Sequence, residues 1–486
     1  MIVIGGGAAG LTSAGISAMF GAKTALVEAK KLGGDCTWYG CVPSKTLLKA
    51  AKIAHQFRTA DKYGLKSQEA VFEFSDIMKH VSEVQNHIYE DADSPEIYRS
   101  MGISVLEGKA SFLDANTIVV EGTGNKTLTS RYFIIATGSR PAVPEVEGLG
   151  AVPYLTNETI FSLTRQPKKL IVIGGGPIGT EMAQAFTRLG SQVAIVEKNP
   201  RILGKDDPEL GKLLLDQLAE EGIEFRLGMK VQKITSVNDV IRVSMKSNDT
   251  TEMTSIEGDA ILLSIGRQAN IRNLNLERIG IETNRAGIVV NDRCQTSLRH
   301  IYACGDVAGR FQFTHFAEHM AKVAVSNALL HFPQKLDSRH ITWCTYADPE
   351  LAHVGASEKE LRERGVEYEV YRFPFAKIDR AITDSDTTGW IKVFAKKWNG
   401  KIYGVNILGA SAGEMISEYA LAMRNGVTLR QMADTIHPYP TYGLGNRRAA
   451  DQWYVRKQST TLVRWLQRLF GYRGQLPDTS NPERIL

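Results

Sequence analysis

The stretch that most limits what this chain can fold into occurs twice. Residues 2–28 align without a gap on residues 171–197, at a constant offset of 169, and 12 of the 27 positions are identical. Each copy reads as a short β-branched strand (Ile2, Val3, Ile4; Ile171, Val172, Ile173), then glycines in a G-x-G-x-x-G spacing (Gly5, Gly7, Gly10; Gly174, Gly176, Gly179). A helix-length stretch follows, then a glycine (Gly21; Gly190) and a second strand ending in an acid (Glu28; Glu197). One such motif is weak evidence, but the same motif set twice between a strand and a helix, with an acid at a fixed distance, is a dinucleotide-binding pattern. The first glycine permits the tight turn, the second lets backbone approach a pyrophosphate, and the third lets the helix pack on the strand. The helix N-terminus adds amide donors and partial positive charge, and the acid is placed to hold a ribose hydroxyl pair. Two units predict two Rossmann-type domains and two dinucleotides.

At ~150 residues per domain the 486 residues leave room for a third domain. With 43% apolar and 23% charged residues the chain is an ordinary globular one, neither disordered nor membrane-spanning. A net charge of +5 over this length is too weak a field to argue for nucleic acid. No apolar run approaches the ~18 residues of a spanning helix, and the opening run 1–22 lacks the basic start of a signal segment. Five cysteines (Cys36, Cys41, Cys294, Cys304, Cys344) are too few for a secreted disulfide scaffold, which points to a reducing compartment and the cytoplasm.

Directly after the first unit comes Gly33-Gly34-Asp35-Cys36-Thr37-Trp38-Tyr39-Gly40-Cys41-Val42-Pro43-Ser44-Lys45, running into a helical pattern over 46–57. Cysteines so spaced at a helix start can reach one another, and the helix dipole there favours a thiolate. An inert buried pair and half a metal site are the alternatives, although zinc would want two more Cys or His nearby, and the segment has none.

This stretch resembles the redox-active segment of the class I pyridine nucleotide-disulfide oxidoreductases, the family of dihydrolipoamide dehydrogenase, glutathione reductase and mercuric reductase. Further landmarks follow in family order. Residues 134–139 look like the crossing into the second nucleotide domain, and Ile265-Gly266-Arg267 like the crossing back. Cys304-Gly305-Asp306 resembles the second flavin-contact motif, whose acid holds the ribityl chain, while Tyr346-Ala347-Asp348-Pro349-Glu350 looks like the start of a dimerisation domain and Gly413-Glu414 with Pro440-Thr441 like its later signposts. The resemblance implies that the first unit binds FAD and the second NAD(P)H, with NADH preferred because Glu197 would repel a 2′-phosphate. Electrons would pass from nicotinamide to flavin N5 and on to a Cys36–Cys41 disulfide. Cys41 would form the charge-transfer thiolate and Cys36 the exchange thiol. Lys45 and Glu181 match the family pair beside flavin N5, and Ala110, Thr137, Gly138 and Gly266 would lie along the cofactors. His315 falls near the flavin pyrimidine edge and reads as structural, as do Cys294, Cys304 and Cys344.

The family pattern breaks at the substrate mouth. Disulfide-reducing members carry a His-Pro-Thr segment with a glutamate shortly after, an imidazole oriented by an acid. Here the text is Ile436-His437-Pro438-Tyr439-Pro440-Thr441-Tyr442-Gly443-Leu444, so Tyr439 stands at the base position, His437 is two places early and Leu444 replaces the acid. A phenol, ordinarily of pKa near ~10, is a poor base at neutral pH. Tyrosine here is a mercuric reductase trait, yet no cysteine follows Cys344, where that enzyme adds a thiol pair. Thr37-Trp38-Tyr39 is also bulkier than usual between the redox cysteines. With Ile2 immediately after Met1, the first strand is either shortened or begins upstream.

The expected architecture is α/β: two Rossmann-type dinucleotide-binding domains plus a C-terminal α+β dimerisation domain. FAD-binding parts would span about 1–145 and 270–338, an NAD(P)H-binding domain about 146–269, and the dimerisation domain about 339–444. The expected activity is that of a mercuric-reductase-like homodimer whose acceptor, a soft metal ion, quinone or disulfide, reaches Tyr439 and His437 across the dimer interface. One alternative is a dihydrolipoamide dehydrogenase or other disulfide reductase with His437 as base; another is a flavin-holding interaction protein with vestigial turnover. A basic tail over 445–486 carries Arg447, Arg448, Arg456, Lys457, Arg464, Arg468 and Arg473. Within 461–470, Leu462, Val463, Trp465, Leu466, Leu469 and Phe470 fall on one helical face opposite Arg464, Gln467 and Arg468. That face predicts dimer packing, peripheral membrane contact or a partner protein.

Overall fold

In the computed structural model the strand Ile2–Ile4 is at most 3% exposed: Ala25–Glu28 and Phe133–Ile135 pair with its two edges, Ile2 and Ile4 pack into a hydrophobic core, and the helix Ala8–Met19 lies against the strand. A strand covered on both faces has no polar side to show, which is why its sequence is continuously β-branched. The structure describes residues 1–122, 124–248, 252–309, 311–457 and 460–475, so the end of the basic tail lies outside the described residues. Contacts gather the chain into two units: Met1–Phe57, Glu69–Pro200 and Ile223–Asp337 in the first, Arg58–Gln68, Arg201–Gly222 and Ser338–Leu486 in the second.

The first unit holds a seven-stranded sheet in the order Ile301–Ala303, Phe133–Ile135, Ile2–Ile4, Ala25–Glu28, Ser104–Asp114, Thr117–Gly122, Lys126–Thr129. Its first five strands pair in parallel and the last three form an antiparallel meander. The second repeat builds an all-parallel sheet of Glu224–Leu227, Gln192–Glu197, Lys169–Ile173 and Ala260–Leu263. The two chain crossings are zipped to each other: Ser139–Pro141 pairs antiparallel with Arg267–Ala269, the Thr137 hydroxyl donates to Asn270 O at 2.7 Å, and Asn270 Nδ2 returns a bond to Thr137 O at 3.0 Å. Gly138 and Gly266 have φ of +66° and +124°, so both crossings bend where an L side chain would be strained.

The second unit is built on a five-stranded antiparallel sheet, Thr342–Thr345, Glu350–Gly355, Ile402–Gly409, Trp390–Ala395 and Glu369–Pro374, with the helix Ala412–Arg424 packed on it. Tyr371, Phe373, Phe375, Val393, Ile407 and Tyr419 form its core. Residues 201–222, expected within the second nucleotide domain, belong by contact to this unit. Asp207 caps the helix Pro208–Glu220 by accepting from the Glu209 and Leu210 amides, and its other oxygen meets the Lys392 ammonium at 2.8 Å. Both side chains are almost fully buried, and Glu209 and Glu358 complete the ammonium's partners at 3.1 and 3.6 Å. A buried ammonium needs such a set, since either charge left alone would be costly.

Candidate active site

The two glycine loops repeat one geometry in detail. Gly5 and Gly174 take φ of +106° and +109°, and a Cβ at either would strike carbonyl oxygen of the facing crossing, Ala136 at 2.3 Å or Ser264 at 2.5 Å. A Cβ on Gly10 or Gly179 would land 1.8 or 2.1 Å from the oxygen of Gly5 or Gly174, so helix and turn touch where only hydrogen fits. The helices Ala8–Met19 and Pro177–Arg188 both start from a glycine N-cap, Gly7 or Gly176, with no side-chain cap and no acid in the first turn. Their first amides therefore have no side-chain acceptor and suit an anion.

The strand-end acids do something their spacing does not announce. Glu28 Oε2 accepts from the Gly6 amide at 2.6 Å and Oε1 from the Lys30 amide at 2.7 Å. Glu197 repeats this, with the Gly175 amide at 2.7 Å and Asn199 N and Nδ2 at 2.8 and 2.7 Å. Each acid thus pins the middle of its own loop. Ala110 lies inside the strand Ser104–Asp114, paired with Val120 and facing the core.

The redox segment is two helices rather than one. Gly34–Tyr39 is a helix of its own that contains Cys36, Gly40 breaks it, and Cys41 opens the helix Cys41–Arg58, five residues earlier than the predicted start at 46. A Cβ on Gly34 would lie 2.6 Å from Gly7 Cα, so this segment presses against the first glycine loop. The cysteines are free thiols in contact, Cys36 donating to the Cys41 sulfur. That bond, helped by Thr314 at 3.6 Å and the nearby Lys45 charge, outweighs burial and brings the Cys41 thiol down to about 6. Cys36, the proton donor of the pair and itself partly desolvated, is pushed up. Cys41 ionises first.

Lys45 and Glu181, 136 residues apart, meet at 2.8 Å, with the carboxylate 6% exposed. Asp306 accepts from the Ser139 hydroxyl at 2.5 Å and faces Arg267 at 3.6 Å. Burial raises its pKa against those two contacts. The same guanidinium reaches Asp35, next to Cys36, at 3.1 Å, and Asn157 Nδ2 holds both Asp35 Oδ1 and the Tyr39 carbonyl. Thr314, Asp35 and Asn157 escaped the sequence reading: their partners are distant along the chain, and no local pattern marks them. Cys304 and Cys294 are both fully buried, and burial together with the neighbouring Cys294 sulfur pushes the Cys304 thiol well up.

In the second unit His437 Nε2 lies 2.8 Å from Glu418 Oε1, and its Nδ1 is 3.0 Å from Thr435 O. Asn446 Nδ2 holds the other Glu418 oxygen at 2.7 Å. The imidazole therefore has an acid after all, supplied by the helix Ala412–Arg424 rather than by position 444. Leu444 opens the helix Leu444–Lys457 and is buried, while Tyr439 is 71% exposed.

Residues 1–321 match the family model for pyridine nucleotide-disulphide oxidoreductases, and residues 341–448 match that family's dimerisation domain. The chain is a class I pyridine nucleotide-disulfide oxidoreductase. A mercuric reductase of Lysinibacillus sphaericus is 34% identical over 93% of this chain and 82% of its own length. A dihydrolipoyl dehydrogenase of Bacillus subtilis is 34% identical over 91% of this chain and 95% of its own. Among solved structures, the HOCl-induced flavoprotein disulfide reductase RclA from Escherichia coli superposes with a TM-score of 0.83 at 27% identity, over 94% of this chain and 99% of that one. This oxidoreductase is accordingly FAD-dependent, uses NAD(P)H and forms a homodimer. The uncapped helix starts and the glycine contacts that leave no room for a Cβ fit two dinucleotides. FAD held by the first loop would supply the two-electron chemistry that links a nicotinamide to the cysteines. No helix among the described residues is long and apolar enough to cross a membrane.

Proposed function

We propose that this oxidoreductase transfers two electrons from NADH through the Cys36–Cys41 pair to a soft metal ion, a quinone or a disulfide, in the manner of mercuric reductase. The observation that carries the reading is the Cys36–Cys41 contact, in which one sulfur is stabilised as thiolate beside the Lys45–Glu181 pair. NADH yields two electrons and a proton as hydride. The Cys36–Cys41 disulfide takes up those two electrons and one proton, giving a Cys41 thiolate and a Cys36 thiol. An acceptor that removes two electrons restores the disulfide, and the Cys36 proton passes to the reduced acceptor or to water. Residues 1–145 and 270–338 would carry FAD and 146–269 NADH, with Gly5, Gly7, Gly10 and Glu28 serving the first and Gly174, Gly176, Gly179 and Glu197 the second. The acceptor would approach Cys36 near the partner subunit's Tyr439 and His437.

The exposed phenol of Tyr439 favours metal or quinone over disulfide exchange. A Cu(II) complex of the RclA relative accords with a metal-ion acceptor. The His437–Glu418 pair favours the second reading, a disulfide reductase with an acid-oriented base. A screen with NADH against Hg(II), Cu(II), a benzoquinone, lipoamide and glutathione disulfide separates them. The expected result is turnover on lipoamide and glutathione disulfide about tenfold or more below the best metal or quinone, with His437→Ala changing the latter less than about twofold. If lipoamide is instead the fastest acceptor and His437→Ala or Glu418→Gln lowers its rate about a hundredfold, the second reading replaces the first.

The tail supports a peripheral contact with an anionic membrane surface. It forms the helix Thr460–Phe470, on which Leu462, Trp465, Leu469 and Phe470 are each more than half exposed. Large apolar side chains gain ~1.5–3 kcal/mol each on full burial, so this face has a strong drive to be covered. Arg464 and Arg468 on the other side match anionic headgroups. Truncation after Lys457 should leave dimer, flavin content and melting temperature unchanged while abolishing sedimentation with phosphatidylserine-containing vesicles. Dimer dissociation or a lowered melting temperature, with a full-length protein that ignores vesicles, would show that the face packs within the dimer.

A further inference from the structure

We infer that the first unit carries an additional binding site for a phosphate-bearing anion, on the edge of the seven-stranded sheet opposite the glycine loops. A cleft of ≈ 370 Å³ is lined by Arg293, Arg299, His300, His331, Tyr132 and Tyr302, with Gln295 and Asn327 completing it. Tyr132 and His300 immediately precede the strands Phe133–Ile135 and Ile301–Ala303. Those strands run parallel to Ile2–Ile4, whose carboxyl end leads into Gly5. The cleft thus sits at the amino ends of strands whose carboxyl ends face the dinucleotide loop.

Its chemistry is one-sided. No carboxylate lines the cleft, and among the described residues neither the Arg293 nor the Arg299 guanidinium meets one. Guanidinium groups stay charged and present forked donors that match phosphate oxygens. The Tyr302 residue is 2% exposed, and its hydroxyl accepts from Gln295 Nε2 at 3.3 Å, which leaves the phenolic proton available to an acceptor in the cleft. His300 Nε2 donates to Ala115 O at 2.7 Å, which fixes that ring. Asn327 holds the base of the cleft by donating to Val323 O and Gln334 O, both at 2.9 Å, and accepting from Gln334 N at 3.1 Å. Tyr302, His300 and Asn327 are therefore braced before any ligand arrives, which lowers the ordering cost of binding. The Tyr132 and His331 rings, 6.2 Å apart, offer flat walls beside the charges. A diphosphate, free or carried on a nucleotide, has the charge and the acceptors this set demands.

The test uses the FAD-loaded dimer with saturating NAD⁺, so that the dinucleotide sites are filled, and titrates inorganic pyrophosphate and ADP by calorimetry. One saturable site per chain is expected, weakened by added salt. Arg293→Gln with Arg299→Gln should weaken it about tenfold or more, and Tyr302→Phe should weaken it to a smaller degree. Flavin content and NADH oxidation should be unchanged in all variants. ADP binding tighter than pyrophosphate identifies a nucleotide as the source of the phosphate, and equal affinity identifies a free phosphate. Absence of saturable binding up to ~10 mM, or affinity in the double arginine variant within about twofold of wild type, overturns the site.

Discussion

Cys41→Ser is expected to abolish the long-wavelength absorbance that NADH should raise in the wild-type enzyme, whereas Cys36→Ser should show that absorbance without reductant. The two sulfurs are inequivalent because one proton is shared between them: Cys36 gives it and Cys41 holds the negative charge, assisted by Thr314 and Lys45. A thiolate against oxidised flavin would give the band, and the depressed Cys41 thiol is the one expected to supply it. Either substitution removes the disulfide, so turnover with the best acceptor should fall on the order of a thousandfold or more. Absorbance spectra of the two serine variants, taken anaerobically, check the assignment, and identical spectra would refute it. The pH dependence follows with a definite sign. Because the Cys41 thiol is depressed to about 6, the thiolate is present above that pH and is lost as pH falls through it. In the two-electron-reduced wild-type enzyme the band should be full at neutral pH and fade below about 6. Appearance of the band only at alkaline pH would mean that Cys36, whose thiol is pushed up, is the ionised partner.

Gly10→Ala and Gly179→Ala should fail in different ways, which tests the order of the two nucleotide sites. A methyl at position 10 would lie 1.8 Å from Gly5 O, and one at position 179 would lie 2.1 Å from Gly174 O and 2.6 Å from the Ser264 hydroxyl. Overpacking a core costs ~1–3 kcal/mol when side chains can yield, and backbone yields less. Each substitution should push its helix off its turn and spoil the amide donors at the helix start. Gly179→Ala is expected to purify with a full complement of FAD yet be reduced by NADH about a hundredfold more slowly. Gly10→Ala is expected to lose FAD or to be insoluble. Flavin absorbance per chain and stopped-flow reduction by NADH measure both outcomes. A Gly10→Ala protein that keeps its flavin and loses only NADH reduction would invert the assignment.

Local chemistry was open to reading because its geometry is set within a few turns of chain. The duplicated strand, glycine turn, helix and acid need no distant partner, and the structure shows both copies with matching φ angles and matching acid-to-amide bonds. Long-range partners carry no such signature. Lys45 with Glu181 came only through the family resemblance, and their separation of 136 residues explains why periodicity is silent on it. Thr314, 273 residues from Cys41, had no signal at all. Glu418 shows the same limit at a separation of only 19 residues, because it approaches His437 from another helix and replaces an acid sought along the same strand of text.

By itself the sequence determined two dinucleotide-binding repeats, a paired-cysteine redox centre following the first, and a basic amphipathic end, all patterns in which neighbours along the chain are neighbours in space. Tertiary structure alone decided which sulfur keeps the proton, which acid serves His437 and how the Asp35–Arg267–Asp306 contacts tie the redox helix to a chain crossing. It also decided that two arginines and two histidines, from a turn, a strand entry and a helix end, would line one cleft. The physical reason is common to all four. Charge and proton sharing act over a few ångströms of space, and only the folded chain brings residues from separate elements, whether 19 or 273 positions apart, to that distance.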